Sequence, residues 1–163
     1  MMIRILALIC LLSGCAAPYD YSEEADFSRF NTVALSPDMD TTSLDGARIA
    51  DAARELLPGR GLTVTEAPLA SLWLDYRLDE EMRLLTTMPN MFGRNGFWEE
   101  ERVYGARREL HLVLRLTQPD TGKVVWTSRH PDAFPSDGSR GQERREHIYQ
   151  QVAELLENYP PAP

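Results

Sequence analysis

Leu110-His111-Leu112-Val113-Leu114-Arg115-Leu116-Thr117, then Gln118-Pro119-Asp120-Thr121-Gly122-Lys123, then Val124-Val125-Trp126-Thr127, is the stretch that decides the fold. Leucines at 110, 112, 114 and 116 point one way from an extended chain, while His111, Val113, Arg115 and Thr117 point the other. A Pro-Asp-Thr-Gly turn between two β-prone runs predicts an antiparallel hairpin.

Upstream of the hairpin the same period recurs. Leu72, Leu74, Tyr76 and Leu78 alternate with Trp73, Asp75, Arg77 and Asp79, which predicts a half-buried strand. Leu62 to Glu66 reads as a short strand, and Thr32 to Leu35 as another, with Phe27 and Phe30 packing ahead of it. Between these, Ile49, Ala53, Leu56 and Leu57 recur at helical spacing. Thr42 and Asp45 stand in capping-box positions, and Pro58-Gly59 stops the run. Downstream, Ile148, Val152, Leu155, Leu156 and Tyr159 form one face of a closing helix. Glu143, Arg144, Arg145 and Glu146 solvate its start, and Pro160-Pro161 ends it. The expected fold is α+β: a two-layer arrangement in which a mainly antiparallel sheet of four to five strands carries both helices on one face.

Tyr19-Asp20-Tyr21 leading into Asp26-Phe27-Ser28-Arg29-Phe30-Asn31-Thr32, together with Asp120-Thr121-Gly122-Lys123-Val124-Val125-Trp126, resembles the bacterial lipoproteins grouped as domain of unknown function 4136 (DUF4136). The resemblance spans most of the chain after residue 15. It implies the α+β fold and a lipid anchor, and it names no activity. Met82 to Gly105 departs from the pattern.

The N-terminus agrees with an anchor. Arg4 precedes the apolar run Ile5 to Leu12, which has the composition of a secretory signal and is shorter than the roughly 20 residues a bilayer span needs. Leu12-Ser13-Gly14-Cys15 resembles a lipobox, in which cleavage before Cys15 exposes a thiol and an amino group for acylation. By that resemblance Cys15 carries diacylglycerol and an N-acyl chain such as palmitate, and stable attachment does take more than one chain. Ala16 and Ala17 lack the aspartate that retains some lipoproteins at the inner membrane. The expected location is therefore the periplasmic face of a Gram-negative outer membrane. The expected division is signal peptide 1–14, lipidated N-terminus and short tether 15–26, one domain 27–159, and a tail 160–163. About 150 residues after the signal suit a single core.

Net charge is −8, which disfavours nucleic acid as a partner. Of the two cysteines, Cys10 leaves with the signal and Cys15 takes lipid, so the mature domain is expected to form no disulfide.

Catalytic and metal motifs are incomplete. Asp38, Asp40 and Asp45-Gly46 suggest a calcium loop, but Thr42 and Ile49 stand where its remaining ligands belong. Helix capping accounts for them better. Gly59-Arg60-Gly61 follows a helix, the reverse of a dinucleotide fingerprint, and reads as a helix stop. His111, His130 and His147 are scattered and expected to be solvated. Glu99 to Glu101, or Asp75 with Asp79, leave carboxylate acid–base chemistry as the one catalytic route. Arg102, Arg107 and Arg108, with Arg140, Arg144 and Arg145, lie among glutamates and read as surface ion pairs. No resident cofactor or metal is expected, and no enzyme.

The segment 86–104 places Met88, Met91, Phe92, Phe97 and Trp98 among glycine, proline and asparagine. Two readings stay open. Either these side chains fold back on the core, as a loop or an extended hairpin tip, or they contact another envelope protein, a lipid or an apolar ligand. The functional expectation is a non-enzymatic binding or assembly accessory domain tethered to the outer membrane. The alternative is a periplasmic enzyme or small-ligand carrier with a cleft near 86–104.

Overall fold

The computed structural model describes residues 18–86, 103–135 and 138–161. The lipobox residues Leu12, Ser13, Gly14 and Cys15 lie outside them, as do Met88, Met91, Phe92, Phe97, Trp98, Glu99 to Glu101 and Arg102.

Six strands and two helices follow one another as β1 (Tyr19–Tyr21), β2 (Thr32–Leu35), α1 (Leu44–Leu56), β3 (Thr63–Val64), β4 (Leu72–Thr86), β5 (Val103–Gln118), β6 (Lys123–Arg129) and α2 (Gly141–Leu156). The strands form a single mixed sheet in the order β1-β6-β5-β4-β2-β3. The alternating leucines pair as expected: Leu74 faces Leu116, Tyr76 faces Leu114 and Leu78 faces Leu112 across an antiparallel ladder.

Two expectations need correction. The sheet has six strands, because Tyr19–Tyr21 pairs antiparallel with β6. The segment 15–26 is thus not simply a tether: from Tyr19 it belongs to the fold, and Ser22 and Ala25 continue its hydrogen bonding. The sheet is mainly antiparallel, as expected, with a parallel part where β2 pairs with both β3 and β4. Parallel neighbours need a long crossover, and α1 supplies it between β2 and β3. Pro161, in the C-terminal segment 160–163, is buried.

Local chemistry sets the ends of α1. Ser43, rather than Thr42, is the N-cap, its hydroxyl accepting from Gly46 N at 3.1 Å. Asp40 shapes the turn before it, one carboxylate oxygen accepting from Thr42 N at 2.9 Å, Thr42 Oγ1 at 2.8 Å and Ser43 N at 3.2 Å. Those bonds pull the Asp40 carboxyl down to about 2. At the other end the helix stops at Leu56, just ahead of Pro58-Gly59 as expected. Pro58 itself sits in a tighter 3₁₀ turn, Leu57–Arg60, and Gly61 ends it with φ of 82°.

One hydrophobic cluster joins sheet and helices. Leu72, Leu74, Leu112, Leu114 and Leu116 meet Ile49 and Ala53 of α1 and Ile148, Val152 and Leu155 of α2. Burying each of these leucines contributes about 1.5–3 kcal/mol. The opposite side of the central strands is largely polar, with Arg115 bonded to Asp75 at 2.7 Å and Arg77 to Asp79 at 2.8 Å.

Aromatic rings carry the N-terminal strand into this core. Tyr19 stacks on Tyr21, Tyr21 meets Phe27 edge-on, Phe27 meets Tyr159, and Tyr159 meets Trp126 with centroids 5.7 Å apart. Desolvation pushes the Tyr159 hydroxyl up to about 12 from its ordinary 10.0. Above pH 10 the unfolded chain ionises this tyrosine before the folded one does. Its contribution is therefore complete below pH 10 and is lost between pH 10 and 12. Urea unfolding should show a drop across that window that Tyr159→Phe diminishes; an equal drop in the variant would remove Tyr159 from its cause.

Candidate functional site

The long partners β4 and β5 outrun the rest of the sheet. β6 pairs with β5 only as far as Val113–Arg129, after which His130 N and Phe134 N donate to Leu112 O and Leu110 O. Beyond these contacts residues 80–86 and 103–109 continue as a two-stranded arm, paired only with each other among the described residues. The segment 82–105 singled out in the sequence includes the arm's outer part. The sequence shows a signal for it: after a break at Glu80, Met82 and Leu84 resume the alternation of Leu72 to Leu78.

Strand parity places Leu78, Met82, Leu84, Leu110 and Ala106, with the ion-paired Glu80 and Arg108 among them, on the side that nearer the sheet centre faces the core. Leu78 still packs against the core, whereas the residues farther along the arm are exposed. Met82 is 54% exposed, Leu84 59% and Leu110 41%, and Val103 and Tyr104 near the far end are 58% and 69% exposed. Leu110, assigned to the leucine face by its spacing, thus stands at the margin of the core. A ribbon of two strands is marginally stable in water by itself. Ion pairs brace this one: Arg108 reaches Glu80 at 3.4 Å, Arg83 reaches Glu109 at 3.7 Å, and Arg129 binds Glu81.

At the base of the arm lies a groove of about 300 Å³ lined by Leu78, Leu110, Phe134 and Pro135, with Asp45 and Arg144 at one side. A second, of about 650 Å³, shares Asp45, Leu78 and Arg144 and runs past Tyr76 between the helix N-termini. Arg144 grips Asp45 through Nε at 2.9 Å and Nη2 at 2.6 Å, and Arg48 adds a bond at 2.8 Å. The Arg144 bond holds the Asp45 carboxyl below its ordinary value, against the opposing effect of burial. From the sequence alone Arg144 reads as a surface charge solvating the helix start. Its side chain is 15% exposed and ties α2 to α1. Desolvation raises the Tyr76 hydroxyl, which bonds Ser43. The polar groups converging on the grooves are thus largely bonded to one another.

The histidines divide. His147 is exposed, but His111 and His130 are 5% and 2% exposed, contrary to the solvated positions expected for them. His111 lies opposite the leucine face, yet the chain leaving β6 passes over it. Its Nδ1 donates to His130 O at 3.1 Å. His130 Nδ1 accepts from Asp132 N at 3.1 Å, which leaves Nε2 to donate to Glu154 at 2.9 Å. That bond holds the Glu154 carboxyl below its ordinary value. Both imidazoles fasten the β6–α2 connection.

Asp38, Asp40 and Asp45 do not converge: Asp40 serves its own turn, and Asp45 serves Arg48 and Arg144. Among the described residues no group of three or more His, Cys, Asp or Glu side chains is placed to hold a metal ion. No described helix is long and apolar enough to cross a membrane.

Comparison with known proteins adds the following. A PDZ domain protein from Parabacteroides distasonis superposes with a TM-score of 0.60 at 17% identity, over 91% of this chain and 36% of that one. The chain thus spans about a third of that protein, and the likeness concerns the fold. PelC dodecamer structures from Paraburkholderia phytofirmans give TM-scores of 0.46 at 15% and 16% identity. They cover 86% and 85% of this chain and 94% and 96% of theirs. No curated protein matches the sequence. The family model described as a domain of unknown function (DUF4136) matches residues 17–161, nearly the whole length, and the chain belongs to that family.

Proposed function

We propose that this protein is an envelope lipoprotein, anchored through Cys15 at the periplasmic face of the outer membrane, whose domain works by binding rather than by catalysis. The observation that carries the reading is the arm: Met82, Leu84 and Leu110 stand exposed on one of its faces, around the Glu80–Arg108 ion pair, on a chain of net charge −8. Exposed apolar surface on an acidic domain is a contact surface. The buried titratable groups His111 and His130 already serve the fold. In this reading the two helices form a second layer on one face of the sheet and leave that face of the arm open. Met88, Met91, Phe92, Phe97 and Trp98, which the sequence sets between the arm's strands, lie outside the described residues and are proposed as further partner contacts.

Two experiments test it. A photo-crosslinking residue at Leu84, in the lipidated protein within its native envelope, should form adducts that the same residue at Glu66 does not. Equal yields at both positions would remove the arm from the binding role. Cys15→Ser should move the protein from the outer-membrane fraction to the soluble periplasmic fraction. Unaltered membrane fractionation would overturn the anchor.

A further inference from the structure

We infer that the surface contacted by the arm is the lipid bilayer that holds the protein's own anchor; this rests on lipidation of Cys15. The sheet's topology supplies the first argument. β6 runs from Lys123 opposite Gln118 to Arg129 opposite Val113, so it advances toward the arm. β1 is antiparallel to β6, Tyr21 facing Trp126 and Tyr19 facing Ser128, and Arg129 N donates to Pro18 O. Followed backward from Tyr21 through Pro18, the chain therefore heads toward the same end of the domain as the arm. Anchor and arm leave together.

Length is the second argument. Cys15 stands three residues before Pro18, a reach of at most about 10 Å. From Val113, level with that departure point, β5 continues to Val103 for about 33 Å. Two strand steps separate β1 from β5, and a twist of about 20–25° per step still leaves about 20 Å of the arm along the tether's direction. A tether this short holds the domain so close that the arm meets the lipid surface. The domain accommodates by laying the arm along the interface.

Chemistry suits that contact. Over 80–86 and 103–110 the arm holds Arg83, Arg107 and Arg108 against Glu80, Glu81 and Glu109, so it is neutral on a strongly acidic chain. It approaches phospholipid headgroups without the repulsion the rest of the domain experiences. Met82, Leu84 and Val103 supply apolar area, Tyr104 a ring with a polar tip, and the arginines stems that lie on the surface while their charge stays in water. The contact is weak by itself. Tethering makes it intramolecular and keeps it occupied.

The test uses the lipidated full-length protein in vesicles of phosphatidylethanolamine and phosphatidylglycerol containing doxyl-labelled lipid. With Cys15 acylated, a fluorophore goes onto one introduced thiol at a time: Leu84→Cys or Val103→Cys on the arm, Asp120→Cys at the opposite end. Doxyl quenching is expected to be at least three-fold greater at 84 and 103 than at 120. Met82→Asp with Leu84→Asp, melting as the parent does, should at least halve quenching at 103. Equal or absent quenching at the arm, in protein that stays with the vesicles, would overturn the docking and leave the anchor standing. A probe at 84 shielded from water yet insensitive to doxyl lipid would overturn it in favour of a protein partner or a second copy. Protein that fails to remain with the vesicles would sink the Cys15 reading and this inference with it.

Discussion

Trp126→Ala is expected to destabilise the domain by about 3–5 kcal/mol, a fifth or more of the 5–15 kcal/mol typical of a domain. Trp126 is fully buried in β6, between Tyr21 of β1 and Leu116 of β5, with its ring edge-on to Tyr159. Truncation removes the largest side chain in the core and the ring contact that links the C-terminal segment to the sheet. Indole polarity contributes nothing to the cost, because Nε1 has no hydrogen-bond partner among the described residues. Trp126→Phe should therefore lose well under half as much, since it retains ring packing and removes an unpaired N–H. Urea unfolding of both variants measures this directly. A loss below about 1 kcal/mol for the alanine variant would contradict a core organised around this residue.

Gly46→Ala is expected to cost about 3 kcal/mol or more, although alanine is the better helix former by about 1 kcal/mol. A methyl group at position 46 would lie 2.0 Å from the backbone oxygen of Asp40 and 2.8 Å from both Ser43 Oγ and Tyr76 OH. The two hydroxyls could rotate away. The Asp40 carbonyl belongs to a turn pinned by the Asp40 side chain, so moving it dismantles the cap and shifts the start of α1. Gly59→Ala is the control: a methyl there meets nothing within 4 Å, and its effect should lie within about 0.5 kcal/mol of zero. Equal stabilities for the two variants in the same unfolding experiment would refute the close approach at Gly46.

Asp45-Gly46 illustrates what could be read in advance. As a dipeptide it suggested a calcium loop, and the local pattern correctly preferred a helix start. The pattern did not reveal that Asp45 anchors Arg144 across 99 residues of chain, or that Gly46 is required by a carbonyl pressed against it. His111 was placed on the correct side of its strand, and solvation was inferred from that side being polar. Burial came from a segment far along the chain. The arm was half legible: alternation resumes at Met82 and Leu84 after the break at Glu80, but whether such a face is core or surface depends on where the covering helices stop.

By itself the sequence determined the element types and most of their positions. Period two and period 3.6 are properties of a single chain segment, and the apolar residues that generate them must be buried for the chain to fold. It also determined the charge of the domain and the hairpin between β5 and β6, whose turn lies within six residues. The tertiary structure alone decided the parallel pairing of β2, the entry of Tyr19–Tyr21 into the sheet, the burial of His111 and His130, and the exposure of the arm. Each depends on which segments meet across long stretches of chain. Side-chain spacing specifies which face of a strand is apolar, but carries no record of its neighbour's direction or of what lies above that face.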